Sequence, residues 1–232
     1  MTTASRSRPA AVIFDIGGTI LEERWWDLKA ALRAVVSDAR LVDELALEFQ
    51  REVSERHRSN HEVALPDWLL ARHPTITLAQ EELEDELWPH IVELVPFGIV
   101  SEVLDRLAAD GIPVAAISNA PFSARVLSGE LERYGLSSHF RFVISSADLG
   151  LRKPDPAIFQ TALNQLGIGA DNVWFVGDTL SQDIVGADAA GMRPIWLSRD
   201  EATPIPTTAT RVQDWEGFLR LYDAASIGRE AV

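Results

Sequence analysis

The chain has 232 residues, 47% of them hydrophobic, and a formal net charge of −14. So acidic a surface disfavours nucleic acid and anionic membranes as partners, though local groups can still dominate a pocket for a small anionic ligand. Without a single cysteine, disulfides, thiolate catalysis and zinc–thiolate sites are excluded.

The length suits one large domain, or a core with a smaller inserted domain. Met1–Arg8 carries two arginines, but no apolar stretch of signal-peptide length follows. No apolar run reaches the roughly 18 residues of a membrane helix. A soluble cytoplasmic protein is the expectation.

Ala10–Ile16 is a short, branched apolar run that reads as a buried strand. The stretch from Leu21 to about Leu94 reads as wholly helical. Leu28, Ala31, Leu32, Val35 and Val36 form one stripe, and Val42, Leu45, Ala46, Phe49 and Val53 a second. Leu83, Leu87 and Ile91 form a third, behind a candidate capping box at Thr77–Gln80. Glu22 and Glu23 read as a solvated helix start. Val100, Val103, Leu104, Leu107 and Ala108 keep helical spacing up to a stop at Gly111. Ile158, Phe159, Ala162, Leu163 and Leu166 do the same up to Gly167. Further strands are predicted at Val114–Ser118, Phe142–Ser145, Val173–Val176 and Ile195–Leu197. This alternation implies a parallel sheet covered on both faces, α/β in class. The expected division is a core of residues 9–20 and 95–232, interrupted by an all-helical cap of residues 21–94. Such a cap would sit over the C-terminal strand ends, where open α/β sheets bind ligands.

Polar residues cluster at those strand ends. Asp15 follows the first strand, Ser118 and Asn119 the second, Lys153 the third, and Gly177, Asp178 and Asp183 the fourth. Ends on one edge of a parallel sheet converge, so three carboxylates, one ammonium and a hydroxyl would share a site. That set suits phosphoryl transfer. A carboxylate attacks phosphorus only if mutual negative charge is offset, and a magnesium ion between Asp15 and Asp178 would do so. Lys153 would add a second positive charge. Ser118 and backbone N–H groups near Gly17, Gly18 and Asn119 would hold phosphate oxygens.

On these motifs, over about Ala10–Leu21 and Pro96–Leu197, the chain resembles the haloacid dehalogenase superfamily, and in particular its members with a helical cap between the first two motifs. The resemblance implies a modified Rossmann core and a phosphatase acting on a small phosphorylated metabolite. It implies Asp15 as nucleophile, with the carbonyl of Gly17 and the side chain of Asp178 binding magnesium and Asp183 supporting that site. Ser118 and Asn119 would bind phosphate, and Lys153 would neutralise charge. One departure stands out. Most phosphatases of the superfamily carry an aspartate two positions after the nucleophile as general acid and base; here that position is Gly17.

Each motif also has a plain structural reading. Asp15 could cap a loop, Lys153 could be a solvated turn lysine, Gly177-Asp178 an ordinary turn, and Asp183 a charge favoured at a helix start. Four of the five histidines, His57, His61, His73 and His90, fall in the cap and read mostly as solvent-exposed. Trp25 and Trp26 either line the pocket or pack cap against core. Rival functions are a degenerate phospho-ligand binder, a metal-free haloacid dehalogenase, a phosphonate hydrolase with Lys29 as the only candidate Schiff-base lysine, and a sugar kinase suggested by Asp15–Thr19. Neither the substrate nor the oligomeric state follows from the sequence.

Overall fold

A computed structural model describes residues 8–226. Most of the basic start Met1–Arg8, and the end of the expected core segment at 227–232, lie outside the described residues. β1 (Ala11–Phe14) is followed by a tight turn and β2 (Leu21–Trp26), then by four helices: α1 (Leu28–Val35), α2 (Ala39–His57), α3 (Leu65–Arg72) and α4 (Gln80–Ile91). β3 (Val92–Pro96) returns the chain. After it come α5 (Val100–Ala109), β4 (Val114–Ser118), α6 (Ala124–Arg133), β5 (Phe140–Ser145), α7 (Ser146–Leu149) and α8 (Pro156–Leu166). β6 (Val173–Gly177), a π-helical turn (Leu180–Ile184), α9 (Val185–Ala189), β7 (Arg193–Leu197), β8 (Thr210–Val212) and α10 (Trp215–Ser226) complete it.

Six strands form one parallel sheet in the order β5-β4-β1-β6-β7-β8. β1 lies in the interior, buried on both faces, which explains its unbroken apolar run. Val12 and Phe14 join the apolar cluster on one face, while Ala11 and Ile13 join the cluster on the other. Local chemistry fixes several helix ends. Asp27 and Asp38 cap α1 and α2 through their side chains. α8 starts with Asp155 accepting from Ala157 N, has Pro156 in its first turn, and ends at Gly167 with φ +67°. Each such side-chain cap is worth about 1 kcal/mol.

The segment expected to be wholly helical has strands at both ends. β2 and β3 pair antiparallel, Glu22 opposite Val95 and Trp26 opposite Val92. Glu22 and Glu23 therefore sit on a strand rather than at a helix start. An insertion must leave and re-enter the sheet at nearby points, and pairing its two stems satisfies their backbone groups. The expected box at Thr77–Gln80 is also displaced. α4 begins at Gln80, and its capping contact is Glu82 accepting from Ala79 N (2.9 Å). β8 and α10 have no counterpart in the sequence reading. α10 covers the sheet through Phe218 and Tyr222, whose rings meet Phe14 and Trp174.

Between the two stems, α1 packs on α4 and α2, and α3 on α4. The loop after α2 is tied to the sheet edge by main-chain bonds. Glu62 N donates to Gly150 O (3.0 Å), Arg152 N to Asn60 O (3.0 Å) and Leu65 N to Pro121 O (2.9 Å). The insert thus lies against the loops that follow β4 and β5. No helix among the described residues is long and apolar enough to cross a membrane.

Candidate active site

Asp15 directly follows β1, and its N–H donates to Val176 O of β6 (2.9 Å), so two adjacent strands set its position. Beyond it the chain turns sharply. Ile20 N and Leu21 N both donate to Ile16 O (2.9 Å each), and Gly18 N to Leu21 O (2.8 Å). Gly18 has φ +78°, and a Cβ there would meet Asp178 Oδ2 at 2.4 Å. Glycine at 18 therefore lets the first-strand loop and the Asp178 carboxylate share the same space. Its amide is engaged inside the turn, which removes it from the expected phosphate-binding amides. Gly17 differs: it is exposed, and a Cβ there would meet nothing within 4 Å.

Lys153 is the hub. Its Nζ lies 2.7 Å from Asp15 Oδ1, 2.7 Å from Asp183 Oδ1 and 2.9 Å from Ile117 O, with the side chain 1% exposed. The contact to Asp183 Oδ1 is a close ion pair rather than an aligned hydrogen bond. A solvated turn lysine is thus ruled out. Asp183 sits in the π-helical turn after β6, buried, and its Oδ2 accepts from Thr179 N (2.9 Å). Gly177 makes this possible, since a Cβ there would meet Asp183 at 2.5 Å. Asp178 is half-buried, held by Thr179 Oγ1 donating to its Oδ1 (3.1 Å) and Trp196 Nε1 to its carbonyl (2.7 Å).

Oxygens of Asp15, Asp178 and Asp183 all lie within 4.8 Å of one another. Burial pushes the Asp15 carboxyl up, to about 7, with Asp183 and Asp178 adding to the rise and Lys153 opposing it. Burial, followed by repulsion from Asp183, also raises Asp178. For Lys153, burial would lower the ammonium, but Asp15 and Asp183 outweigh it and leave the group raised. One ammonium facing three carboxylates leaves excess negative charge. All the donors are hard oxygens, so the set fits a divalent cation of magnesium type, with Asp15, Asp178 and Asp183 able to hold it directly or through water.

Ser118, buried at the end of β4, is brought to the same edge. The Asn119 side chain is engaged within the fold. Its Oδ1 accepts from Lys153 N (2.8 Å), and its Nδ2 donates to Lys153 O (3.0 Å) and Gln182 Oε1 (2.8 Å). The side chain clamps the Lys153 loop, so the part of the expectation that its contacts leave open is the backbone N–H of Asn119. Lys29 pairs with Asp43 on the insert surface (2.7 Å), half exposed, so a Schiff-base role has no support.

Several residues escaped the sequence reading. Thr19 Oγ1 donates to Asp15 Oδ2 (3.2 Å), steadying the carboxylate. Glu62 and Arg152 meet where the insert touches the sheet edge, and His57 Nε2 lies 3.0 Å from Glu62 Oε1. Among the signals available, only the adjacency of Arg152 to Lys153 pointed there.

The family model of haloacid dehalogenase-like hydrolases matches residues 9–191. Relatives named as phosphatases and as dehalogenases both match. A phosphoglycolate phosphatase from Pectobacterium atrosepticum is 37% identical over 43% of this chain and 41% of its own length. That match thus spans less than half of the relative. A glyceraldehyde 3-phosphate phosphatase from Methanopyrus kandleri is 29% identical over 89% of this chain and 91% of its own. Among solved structures, a HAD phosphatase from Thermococcus onnurineus superposes with a TM-score of 0.64 at 25% identity, covering 91% of this chain and 96% of that one.

Proposed function

Because this chain belongs to the haloacid dehalogenase-like hydrolase family, we propose that it is a magnesium-dependent phosphatase of a small phosphorylated metabolite, working through Asp15. The observation that carries this reading is the set of three carboxylates, Asp15, Asp178 and Asp183, around the buried Lys153 ammonium. A metal-free dehalogenase has no need of the two extra carboxylates. Without a cation they add repulsion that only Lys153 offsets.

Asp15 and Asp178, with Asp183 in support and the Gly17 carbonyl adding an oxygen, would hold magnesium, which would supply the positive charge that lets an anionic nucleophile approach an anionic phosphate. Asp15 then attacks phosphorus, the bond to the leaving-group oxygen breaks, and an aspartyl-phosphate forms. Water attacks that phosphorus, the Asp15–phosphorus bond breaks, and inorganic phosphate leaves as the carboxylate returns. Lys153 fixes the Asp15 carboxylate and offsets its charge throughout. The Ser118 hydroxyl donates to a phosphate oxygen. Asn119 holds the Lys153 loop through its side chain and offers its backbone N–H to a phosphate oxygen. The insert of residues 21–94 serves as a lid that opens and closes over the strand ends, with the paired stems β2 and β3 as its hinge. A cytoplasmic setting, where phosphorylated metabolites are plentiful, suits this role.

Gly17 favours a second reading, a phospho-ligand binder with weak or no turnover, since no aspartate stands two residues after Asp15. Phosphate release from 4-nitrophenyl phosphate, with magnesium and with chelator, separates the two. Release that needs magnesium and vanishes in Asp15→Asn supports the phosphatase. Equal release in excess chelator rejects it.

A further inference from the structure

A cavity of about 180 Å³ lies where the insert meets the loops at the sheet edge. Trp26, Leu28, Phe49 and Val53 give it an apolar wall, and Arg152, His57, Glu62, Gln50 and Asn119 make up its polar lining. Arg152 immediately precedes Lys153, so the loop clamped by Asn119 places both residues. The Arg152 side chain is only 11% exposed, and its Nη1 is fully buried with no hydrogen-bond partner among the described residues. Its carboxylate neighbour, Glu62, is already engaged. Glu62 Oε1 accepts from Val63 N (3.0 Å) and meets His57 Nε2 (3.0 Å), while its Oε2 accepts from Ser146 Oγ (2.7 Å). Arg152 Nε stands 3.8 Å from Glu62, too far for a hydrogen bond. The guanidinium is therefore positioned by the fold without being saturated by it. A buried charged donor without an acceptor is costly, and the guanidinium fork matches the oxygens of carboxylate and phosphate.

We propose that Arg152 selects the substrate by its leaving group: the cavity takes a short apolar or aromatic stem, and Arg152 binds an oxyanion at the end of that stem. This rests on the phosphatase reading and adds a substrate class to it, a phosphate ester with a second anionic group. The apolar wall accommodates the stem. A neutral end group would leave the guanidinium without an anionic partner, and sites built for a charged group discriminate against analogues that lack it.

The test compares 4-carboxyphenyl phosphate and benzene-1,4-bisphosphate with 4-methylphenyl phosphate, whose methyl replaces the oxyanion. Binding is measured by calorimetry on Asp15→Asn with magnesium, and KM on the active protein. The oxyanion-bearing ligands are expected to bind roughly 10- to 100-fold more tightly than the methyl analogue, the range of a charge-assisted hydrogen bond. Whichever of the two binds better identifies the end group as carboxylate or phosphate. Arg152→Met should shrink this gap toward unity, with Arg152→Lys in between; should Arg152→Met not fold, Arg152→Lys and the unmodified comparison carry the test. Equal affinity for all three ligands, while 4-nitrophenyl phosphate is still hydrolysed with magnesium, overturns the inference and leaves the phosphatase standing. Absence of any magnesium-dependent hydrolysis of 4-nitrophenyl phosphate overturns both.

Discussion

Gly17→Asp is expected to speed the enzyme, because it restores a carboxylate two residues after the nucleophile. The backbone permits the change. Gly17 lies outside the positive-φ region, is exposed, and has no atom within 4 Å of a Cβ built on it. A positioned acid or base contributes roughly 10²–10⁴ in rate. The new carboxylate would join three others around Asp15, whose proton affinity is already raised to about 7 by burial and by Asp183 and Asp178. A fourth negative charge opposes the attacking carboxylate, so the gain should fall at the low end, about 10²-fold. The assay is rapid-quench kinetics across phenyl and alkyl phosphates of graded leaving-group acidity. The unmodified protein should favour aryl or acyl phosphates and sugar 1-phosphates. It should also show a burst equal to the enzyme concentration followed by slow turnover, because water lacks a base. Gly17→Asp should raise the slow phase and flatten the dependence on the leaving group. Gly18→Asp is the control. Its Cβ would meet Asp178 Oδ2 at 2.4 Å, so it should abolish turnover. A flat dependence in the unmodified protein, no burst and no gain in Gly17→Asp would refute the missing-acid account and assign the role to another group, such as Glu22, Glu23 or His57.

Asp15→Asn should abolish turnover while phosphate binding persists, and a beryllium fluoride adduct should form on the unmodified protein alone; near-normal hydrolysis by the variant would sink the mechanism. Asp178→Asn should weaken magnesium binding strongly with the fold intact, which calorimetry and circular dichroism check together. Lys153→Met leaves two buried carboxylates without their cation, and should lower stability by roughly 3–5 kcal/mol in urea melts without metal, partly recovered by magnesium. Tyr222 donates to Asp110 Oδ2 (2.9 Å), and burial followed by that bond pushes its hydroxyl from 10.0 up to about 12. The folded chain then keeps a proton that the unfolded chain loses, so stability should fall as pH rises from 10 to 12, and Tyr222→Phe should flatten that fall.

Some of this protein was legible in its sequence, and the limit has a physical origin. Strand periodicity, helix stops such as Gly167 and the polar residues after each apolar run are local signals, so the α/β class and the convergence of Asp15, Ser118, Lys153, Asp178 and Asp183 on one sheet edge followed from them. What local signals cannot carry is which partner a group meets across the fold. The β2–β3 pairing joins residues about seventy positions apart, so Glu22 and Glu23 read as a helix start. Nothing in the sequence shows that the Asn119 side-chain amide holds both the N–H and the carbonyl of Lys153. Gly17 and Gly18 are alike in sequence, yet only Gly18 stands against Asp178 and engages its amide in the turn. Arg152 lines a cavity whose wall is built by β2, α1 and α2, far away along the chain. A hydrogen bond or a van der Waals contact is decided over 3–4 Å in space, and sequence spacing reports such distances only within an element.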